Sequence, residues 1–68
     1  MSKQDIEKMY PVGTRIKLIY MDPPEKHLPP GSIGTVRYID DASQIHMRWD
    51  CGSSLALIPG NDEFEKIS

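Results

Sequence analysis

The chain has 68 residues, and its 8 Lys and Arg against 10 Asp and Glu give a formal net charge of −2. It is long enough for one domain near the lower size limit for independent folding, and its single cysteine excludes an internal disulfide. The slight acidic excess disfavours nucleic acid as the main partner, because such proteins usually carry a large basic excess.

The composition also indicates where the protein works. Residues 1–5 are polar and charged, unlike a signal peptide, and the longest aliphatic run, Leu55–Ile58, is far too short to span a bilayer. We therefore expect a cytoplasmic protein with no membrane partner, in agreement with the free thiol of Cys51. No cofactor or metal is expected, because the two histidines and one cysteine show no ligand spacing.

Residues 1–11 are predicted to form a short helical segment. Ser2 is placed to cap it, with Asp5 in the reciprocal position three residues later. Pro11 disfavours helical geometry at the residue before it, so the helix should end at Tyr10. An apolar stripe at helical spacing would dock it on the rest of the chain: Ile6, Met9 and Tyr10.

Residues 12–68 are predicted to form a small barrel that begins with a strand over residues 12–20. Ile16, Leu18 and Tyr20 alternate there with basic residues, which is the period of a half-buried strand. Residues 21–31 follow as a loop with four prolines in eight positions, which cannot join a sheet ladder. This loop is either functional or a stiff connector that limits unfolded-state entropy.

The centre of the chain is predicted to be a hairpin whose apolar faces coincide. A four-residue loop over residues 40–43 would set Tyr38 opposite Ile45, with two further pairs behind them. A slip of one residue would destroy this match. The two further pairs are Val36 with Met47, and Gly34 with Trp49, where the glycine leaves room for the indole.

A second, tighter turn is predicted at Cys51–Gly52, with two residues in the loop. That register would turn Ala56 and Ile58 inward, and it would leave Leu55 and Leu57 on the outer face. Two outward leucines need a cover, which is either the N-terminal helix or a partner protein.

The C-terminal part is predicted to hold a break at Pro59–Gly60, a 3₁₀ turn over residues 61–63 and a last short strand over residues 64–67. The expected fold is therefore all-β: a five-stranded SH3-like small barrel with a short N-terminal helix and a terminal 3₁₀ turn. The expected interior is Ile16, Leu18, Val36, Tyr38, Ile45, Met47, Ala56, Ile58 and Phe64, with Trp49 either in the core or at the surface.

Four motifs resemble a family of short uncharacterised bacterial proteins found in Gram-positive bacteria, their phages and mobile elements. These motifs are residues 10–15, residues 29–36, Trp49-Asp50 with Gly52-Ser53, and residues 55–60. The resemblance implies an SH3-like small barrel, but no activity. The chain departs from the family at Cys51, where Asn is usual, and near Ser43, where Gly is usual.

Catalysis is not expected. Cys51 is interpreted as a surface thiol in a turn, and no nucleophile–base pair or paired carboxylates stand out in a chain this small. Asp40 and Asp41 are interpreted as residues that favour a turn and solubility.

The first functional hypothesis is a non-catalytic protein-binding module, whose partner is an unidentified protein such as a host factor. Its candidate anchors are apolar and aromatic residues near the proline-rich loop and the second hairpin: Tyr20, His27, Leu28, Trp49, Leu55 and Leu57. The plainer alternative is that Tyr20 and Trp49 belong to the core. A monomer or a weak homo-oligomer is expected.

The alternative hypothesis is a nucleic-acid-binding barrel that uses a basic outer strand face. Its candidate residues are Arg15, Lys17, Arg37 and Arg48. The plainer interpretation of this face is a solvated sheet surface, because acidic residues surround the four cations in the sequence. Binding of this kind should weaken steeply with salt.

Overall fold

The computed structural model describes residues 2–68, so Met1, the first residue of the predicted helical segment, lies outside it. The regular elements are α1 (Lys3–Met9), β1 (Arg15–Tyr20), β2 (Ile33–Ile39), β3 (Ile45–Trp49) and β4 (Glu63–Lys66). The strands form one antiparallel sheet in the order β3-β2-β1-β4. The predicted mostly β fold with a short helix is therefore confirmed. The described residues form four strands instead of the five that were predicted.

The helix begins and ends as its capping residues dictate. The Ser2 hydroxyl accepts from the Asp5 backbone N–H, and the Asp5 carboxylate accepts from the Ser2 N–H, both at 3.3 Å. This reciprocal box satisfies two backbone donors that a helix start otherwise leaves without partners. Only Ile6 of α1 is buried, at 2% exposure, and it joins the core of the sheet. The predicted docking stripe is thus confirmed for Ile6 and in part for Tyr10, which packs against the core, but it is wrong for Met9, which is 47% exposed.

The first hairpin has the predicted register at its open end. Gly34 lies opposite Trp49, and Val36 lies opposite Met47. A Cβ added to Gly34 would meet the Trp49 ring at 2.8 Å and the Trp49 Cα at 3.0 Å. The prediction that the glycine leaves room for the indole is therefore confirmed, and Trp49 is a core residue with 1% exposure.

A register shift between Val36 and Tyr38 changes the other end of this hairpin. Tyr38 lies opposite His46 and is 49% exposed, while Ile39 lies opposite Ile45 and is buried. The predicted inward position of Tyr38 is therefore wrong, because one extra residue in a strand moves the following side chains to the other face.

The loop of this hairpin is closed by Asp40. One carboxylate oxygen accepts from the backbone N–H groups of Ala42 and Gln44, each at 2.9 Å. Ser43 adopts a φ of 64°, in the left-handed region that favours glycine. The glycine that the resembling family carries near this position fits that geometry.

The turn after Trp49 has three residues instead of the predicted two. The Trp49 N–H donates to the Ser53 carbonyl at 3.1 Å, and Ile45 and Leu57 exchange two backbone bonds of 2.8 and 2.9 Å. In such a turn the left-handed position falls on Gly52, with a φ of 98°, and Cys51 is spared it. The pairing moves by one residue, so Leu57 is buried and Ile58 is exposed, the reverse of the prediction.

The segment between Ser53 and Leu57 does not form a strand. Within it, the Leu55 carbonyl accepts from the Trp49 indole N–H at 2.8 Å. The bond from the Trp49 N–H to the Ser53 carbonyl, this indole bond and the isolated Ile45–Leu57 bridge hold the segment to β3.

The C-terminal turn is held by the Ile58 carbonyl, which accepts from Asn61 and Asp62 N–H at 3.0 and 2.9 Å. A turn is present as predicted, but it lies over residues 58–62 instead of 61–63, and Glu63 already belongs to β4. The buried Asp62 carboxylate accepts from the backbone N–H groups of Ile58 and Asp22 at 2.8 and 3.2 Å, which ties this turn to the start of the long loop.

The core combines residues from both faces of the predicted pattern and from two segments outside the sheet. Leu28 anchors the proline-rich loop in it, as Ile6 anchors the helix. Phe64 is only partly buried against the core. The buried apolar residues are Ile6, Ile16, Leu18, Leu28, Val36, Ile39, Ile45, Met47, Trp49 and Leu57.

Candidate functional site

A groove of about 420 Å³ lies between α1 and β4. The helix is seven residues long and buries only Ile6, so Met9 in its last turn is 47% exposed. Ile19, beside a register shift in β1, is 40% exposed in the same groove. The apolar lining comprises Ile6, Met9, Tyr10, Ile19, Pro59 and Phe64.

Two aromatic rings form part of the groove wall. Tyr10 and Phe64 meet edge to face, with ring centroids 5.4 Å apart and planes at 63°. Such pairs are worth about 0.5–1.5 kcal/mol beyond their buried area. The pair therefore connects the residue that ends α1 to β4.

The strand β4, which borders this groove, carries two glutamates on the face opposite to Phe64. Glu63 and Glu65 are exposed residues of β4, and neither takes part in an ion pair within residues 2–68. Asp62 also lines the groove, but its carboxylate is occupied by the backbone bonds of the C-terminal turn. The negative charge without an ion pair along β4 is thus that of the two glutamates, on the other face of the strand from the groove.

The residues predicted to bind protein do not form one surface. Leu28, Trp49 and Leu57 are buried. The predicted surface position of Leu28 and Leu57 is therefore wrong, and of the two alternatives for Trp49 the core position is the correct one. The remaining three are exposed: Tyr20, His27 and Leu55. None of the six lines the groove between α1 and β4.

The second turn contacts the proline-rich loop. The Cys51 thiol lies 3.8 Å from the carbonyl oxygen of His27, which lies within that loop. Cys51 itself is exposed, as expected of a thiol in a surface turn.

Arg15, the first residue of the predicted basic face, is held in an internal ion pair. Its guanidinium donates to both carboxylate oxygens of Asp50, at 2.9 and 2.6 Å, and to the Thr35 hydroxyl at 2.8 Å. These hydrogen bonds raise the pKa of Arg15 and lower the pKa of Asp50. Arg15 therefore fastens β1 to the end of β3 and offers little charge to a ligand.

The other three cations are spread over the outer face. Lys17 lies opposite Glu65 of β4, and Arg48 lies opposite Thr35 of β2. Arg37 and Arg48 border a shallow depression of about 350 Å³ beside Ser53 and Ser54. The predicted basic face thus reduces to two exposed arginines at the β2–β3 end of the sheet.

Comparison with known families accounts for nearly the whole chain. A family model described as a domain of unknown function, DUF4314, matches residues 2–67. The chain belongs to the DUF4314 family. Comparisons of this chain with curated proteins and with solved structures returned no match. The DUF4314 match spans almost the whole domain, and the description of the family names no activity.

A polar cluster on the outer face of this DUF4314 domain was not predicted from the sequence. The Tyr38 and His46 rings stack with centroids 4.3 Å apart and planes at 7°, and His46 Nε2 lies 2.7 Å from an Asp40 carboxylate oxygen. The bond to His46 and the backbone donors at the loop lower the pKa of Asp40. The cluster depends on the register shift at Tyr38, which no residue type in the strand signals.

Two kinds of feature are absent from residues 2–68. They contain no group of three or more His, Cys, Asp and Glu side chains arranged to hold a metal ion. The helix described here is too short and too polar to cross a membrane.

Proposed function

We propose that the protein is a non-catalytic protein-binding module, and that the groove between α1 and β4 is its contact surface. The observation that carries this proposal is the exposure of Met9 and Ile19 beside the Tyr10–Phe64 pair in a groove of about 420 Å³. A domain this small has few apolar side chains to spare, so leaving Met9 and Ile19 exposed at one groove costs stability that a partner would restore.

The residue types in the groove suit a protein partner. Aromatic residues and methionine are enriched in the cores of protein interfaces, and methionine adapts its shape to different surfaces. Phe64 and Tyr10 are already fixed by their mutual contact, so their side chains would lose little conformational freedom on binding.

The proposed fold of this module is the SH3-like small barrel. The strand order β3-β2-β1-β4 supports it, because the bridge from Ile45 to Leu57 adds a fifth segment beyond β3. The register shift between Val36 and Tyr38 gives β2 the bend that a barrel strand needs. The setting we propose, a cytoplasmic protein of a phage or mobile element that binds a host factor, rests on the family resemblance alone.

The alternative proposal, nucleic-acid binding, is supported by one observation. Tyr38 is stacked and exposed near Arg37 and Arg48, and aromatic and arginine side chains together form stacking surfaces for single strands. The Arg15–Asp50 ion pair and the net charge of −2 weigh against it. A mobility shift at low salt that Arg37→Glu or Arg48→Glu abolishes would favour this alternative.

The deciding experiment compares Met9→Asp with Leu55→Asp in capture of proteins from a Gram-positive lysate. Met9 and Leu55 are exposed to similar extents, 47% and 40%, but only Met9 lines the groove. We expect Met9→Asp to lose the partner that wild type and Leu55→Asp retain. Retention by Met9→Asp, with loss by Leu55→Asp, would move the contact surface to the second hairpin. A concentration series by light scattering separates a partner from self-association.

A further inference from the structure

We infer that the groove receives an extended segment of the partner, basic at every second residue, which adds to the sheet along β4. This inference rests on the proposed function and specifies its ligand. The strand β4 lies at the edge of the sheet. It pairs with β1 on one side, and no strand of residues 2–68 pairs with it on the other side.

The backbone of β4 offers hydrogen-bonding groups on its open side. The Ile67 N–H donates to the Arg15 carbonyl oxygen at 2.9 Å, and Glu65 lies opposite Lys17. The odd-numbered residues of this segment therefore direct their backbone N–H and C=O groups toward β1. In an antiparallel ladder the intervening residues point the other way. The N–H and C=O groups of Phe64 and Lys66 therefore face outward, and no loop or turn of residues 2–68 bonds to them.

The side chains of β4 define what an added strand must carry. Residues directly opposite each other on paired strands share a face, with Cβ atoms about 4.5–5.5 Å apart. A residue opposite Phe64 would point into the groove beside Tyr10 and Met9, and should be apolar. Its two neighbours along the added strand would lie opposite Glu63 and Glu65 on the other face.

Those two neighbours should be lysine or arginine. Glu63 and Glu65 are exposed and have no ion pair within residues 2–68, although Lys17 lies next to Glu65 on the β1 side. A lysine or arginine of the ligand opposite each glutamate would neutralise the charge of that carboxylate. The expected ligand pattern is thus basic, apolar, basic, with the period of two that an extended strand imposes.

A second copy of this chain does not meet these requirements. A two-fold pairing of β4 with itself must match the outward groups of Phe64 and Lys66. The three registers that do so set Glu63 against Glu65, Glu65 against Glu65, or Lys66 against Lys66, and like charges directly opposite each other are destabilising. The edge thus suits a partner of opposite charge better than self-association.

The test uses synthetic eight-residue peptides with blocked ends, in which lysine or glutamate alternates with valine. Titration of the full chain at low salt is followed by NMR shifts of backbone amides and of methionine and isoleucine methyl groups. We expect the lysine peptide to shift Phe64 and Lys66 amides and the Met9 methyl, and the glutamate peptide to shift none. Glu65→Gln should raise the dissociation constant of the lysine peptide about fivefold. Glu7→Gln, the same charge change on the exposed face of α1, should leave it unchanged.

N-methylated peptides separate strand addition from simple charge attraction. A valine opposite Phe64 must direct its N–H at β4, whereas the lysines direct theirs away. Methylating the valine nitrogens should therefore abolish binding, and methylating the lysine nitrogens should not. Equal binding of the two N-methylated peptides would overturn the inference.

The remaining outcomes distinguish this inference from the proposed function. Shifts of Met9 and Ile19 methyl groups by both the lysine and the glutamate peptide would overturn the basic ligand and leave the groove as a protein-binding surface. Absence of shifts with either peptide at several millimolar would overturn the inference, while the comparison of Met9→Asp with Leu55→Asp decides the proposed function independently.

Discussion

Replacement of Gly34 by alanine tests the packing on which the sheet depends. The added methyl carbon would lie 2.8 Å from the Trp49 ring, and 3.0 Å from both the Arg48 carbonyl oxygen and the Trp49 Cα. Two of these three neighbours are backbone atoms, so rotation of a side chain cannot relieve them. Overpacking of this kind costs about 1–3 kcal/mol, and the smaller unfolded-state entropy of alanine offsets about 0.4–1 kcal/mol.

The free energy of unfolding of Gly34→Ala should therefore be lower than that of wild type by about 1–2 kcal/mol. A core of this size supplies about 3–5 kcal/mol in total. At about 4–8 °C per kcal/mol, the melting temperature should fall by about 10 °C. Trp49, the only tryptophan, reports the loss directly by fluorescence in urea, and far-UV circular dichroism checks it independently.

Gly31→Ala is the matched control for this prediction. Its added Cβ meets no atom within 4 Å, and its cost comes only from the positive φ of 93°. Gly34→Ala should change the near-UV spectrum of the folded tryptophan, and Gly31→Ala should not. Unchanged or increased stability of Gly34→Ala would show that Gly34 and Trp49 are not opposite each other.

Three further predictions follow from the caps, turns and ion pairs. Ser2→Ala should lower the free energy of unfolding by about 1 kcal/mol in urea titration, because the capping box is lost; no change would mean that α1 does not contribute to stability. Leu57→Asp should be unfolded as measured by circular dichroism, since a charge would enter the core, whereas the free energy of unfolding of Leu55→Asp should stay within about 0.5 kcal/mol of wild type. The reverse order of stability would support the two-residue turn instead. The pKa of Asp40 is lowered by folding, so its contribution to stability is present above about pH 4 and is lost as the pH falls through its folded value. Free energies of unfolding measured from pH 7 to pH 2 should thus fall more steeply for wild type than for Asp40→Asn, and parallel curves would contradict the role of the His46 contact.

The parts of the fold that could be predicted from the sequence are those set by local chemistry. Ser2 and Asp5 three residues apart specify a helix start, and Pro11 limits its end. The pairing of Gly34 with Trp49 could also be predicted, since only a glycine leaves space for an indole at a neighbouring position in the sheet.

The turns could not be predicted with the same success, because one residue more or less reverses every side chain beyond them. Two residues at Cys51–Gly52 and three at residues 50–52 are both compatible with the glycine, and only the packing of Leu57 in the core selects the second. The register shift before Tyr38 is of the same kind, because it exchanges Tyr38 for Ile39 in the interior.

The candidate site was missed for a different reason. Its walls come from α1, β1 and β4, which are far apart in sequence, and Met9 and Phe64 are common core residues in any small domain. The alternation of Glu63 and Glu65 around Phe64 is the one local signal that was present. Its meaning depends on β4 being an edge strand, which the sequence does not show.

Amide hydrogen exchange at β4 tests the central claim most directly. In the free protein, Phe64 and Lys66 should exchange rapidly while Glu65, paired with Lys17, exchanges slowly. Saturation with the lysine–valine peptide should slow Phe64 and Lys66 to the rate of Glu65. Slow exchange at Phe64 and Lys66 before any peptide is added, or unchanged rapid exchange at saturation, would contradict an open edge that receives the partner.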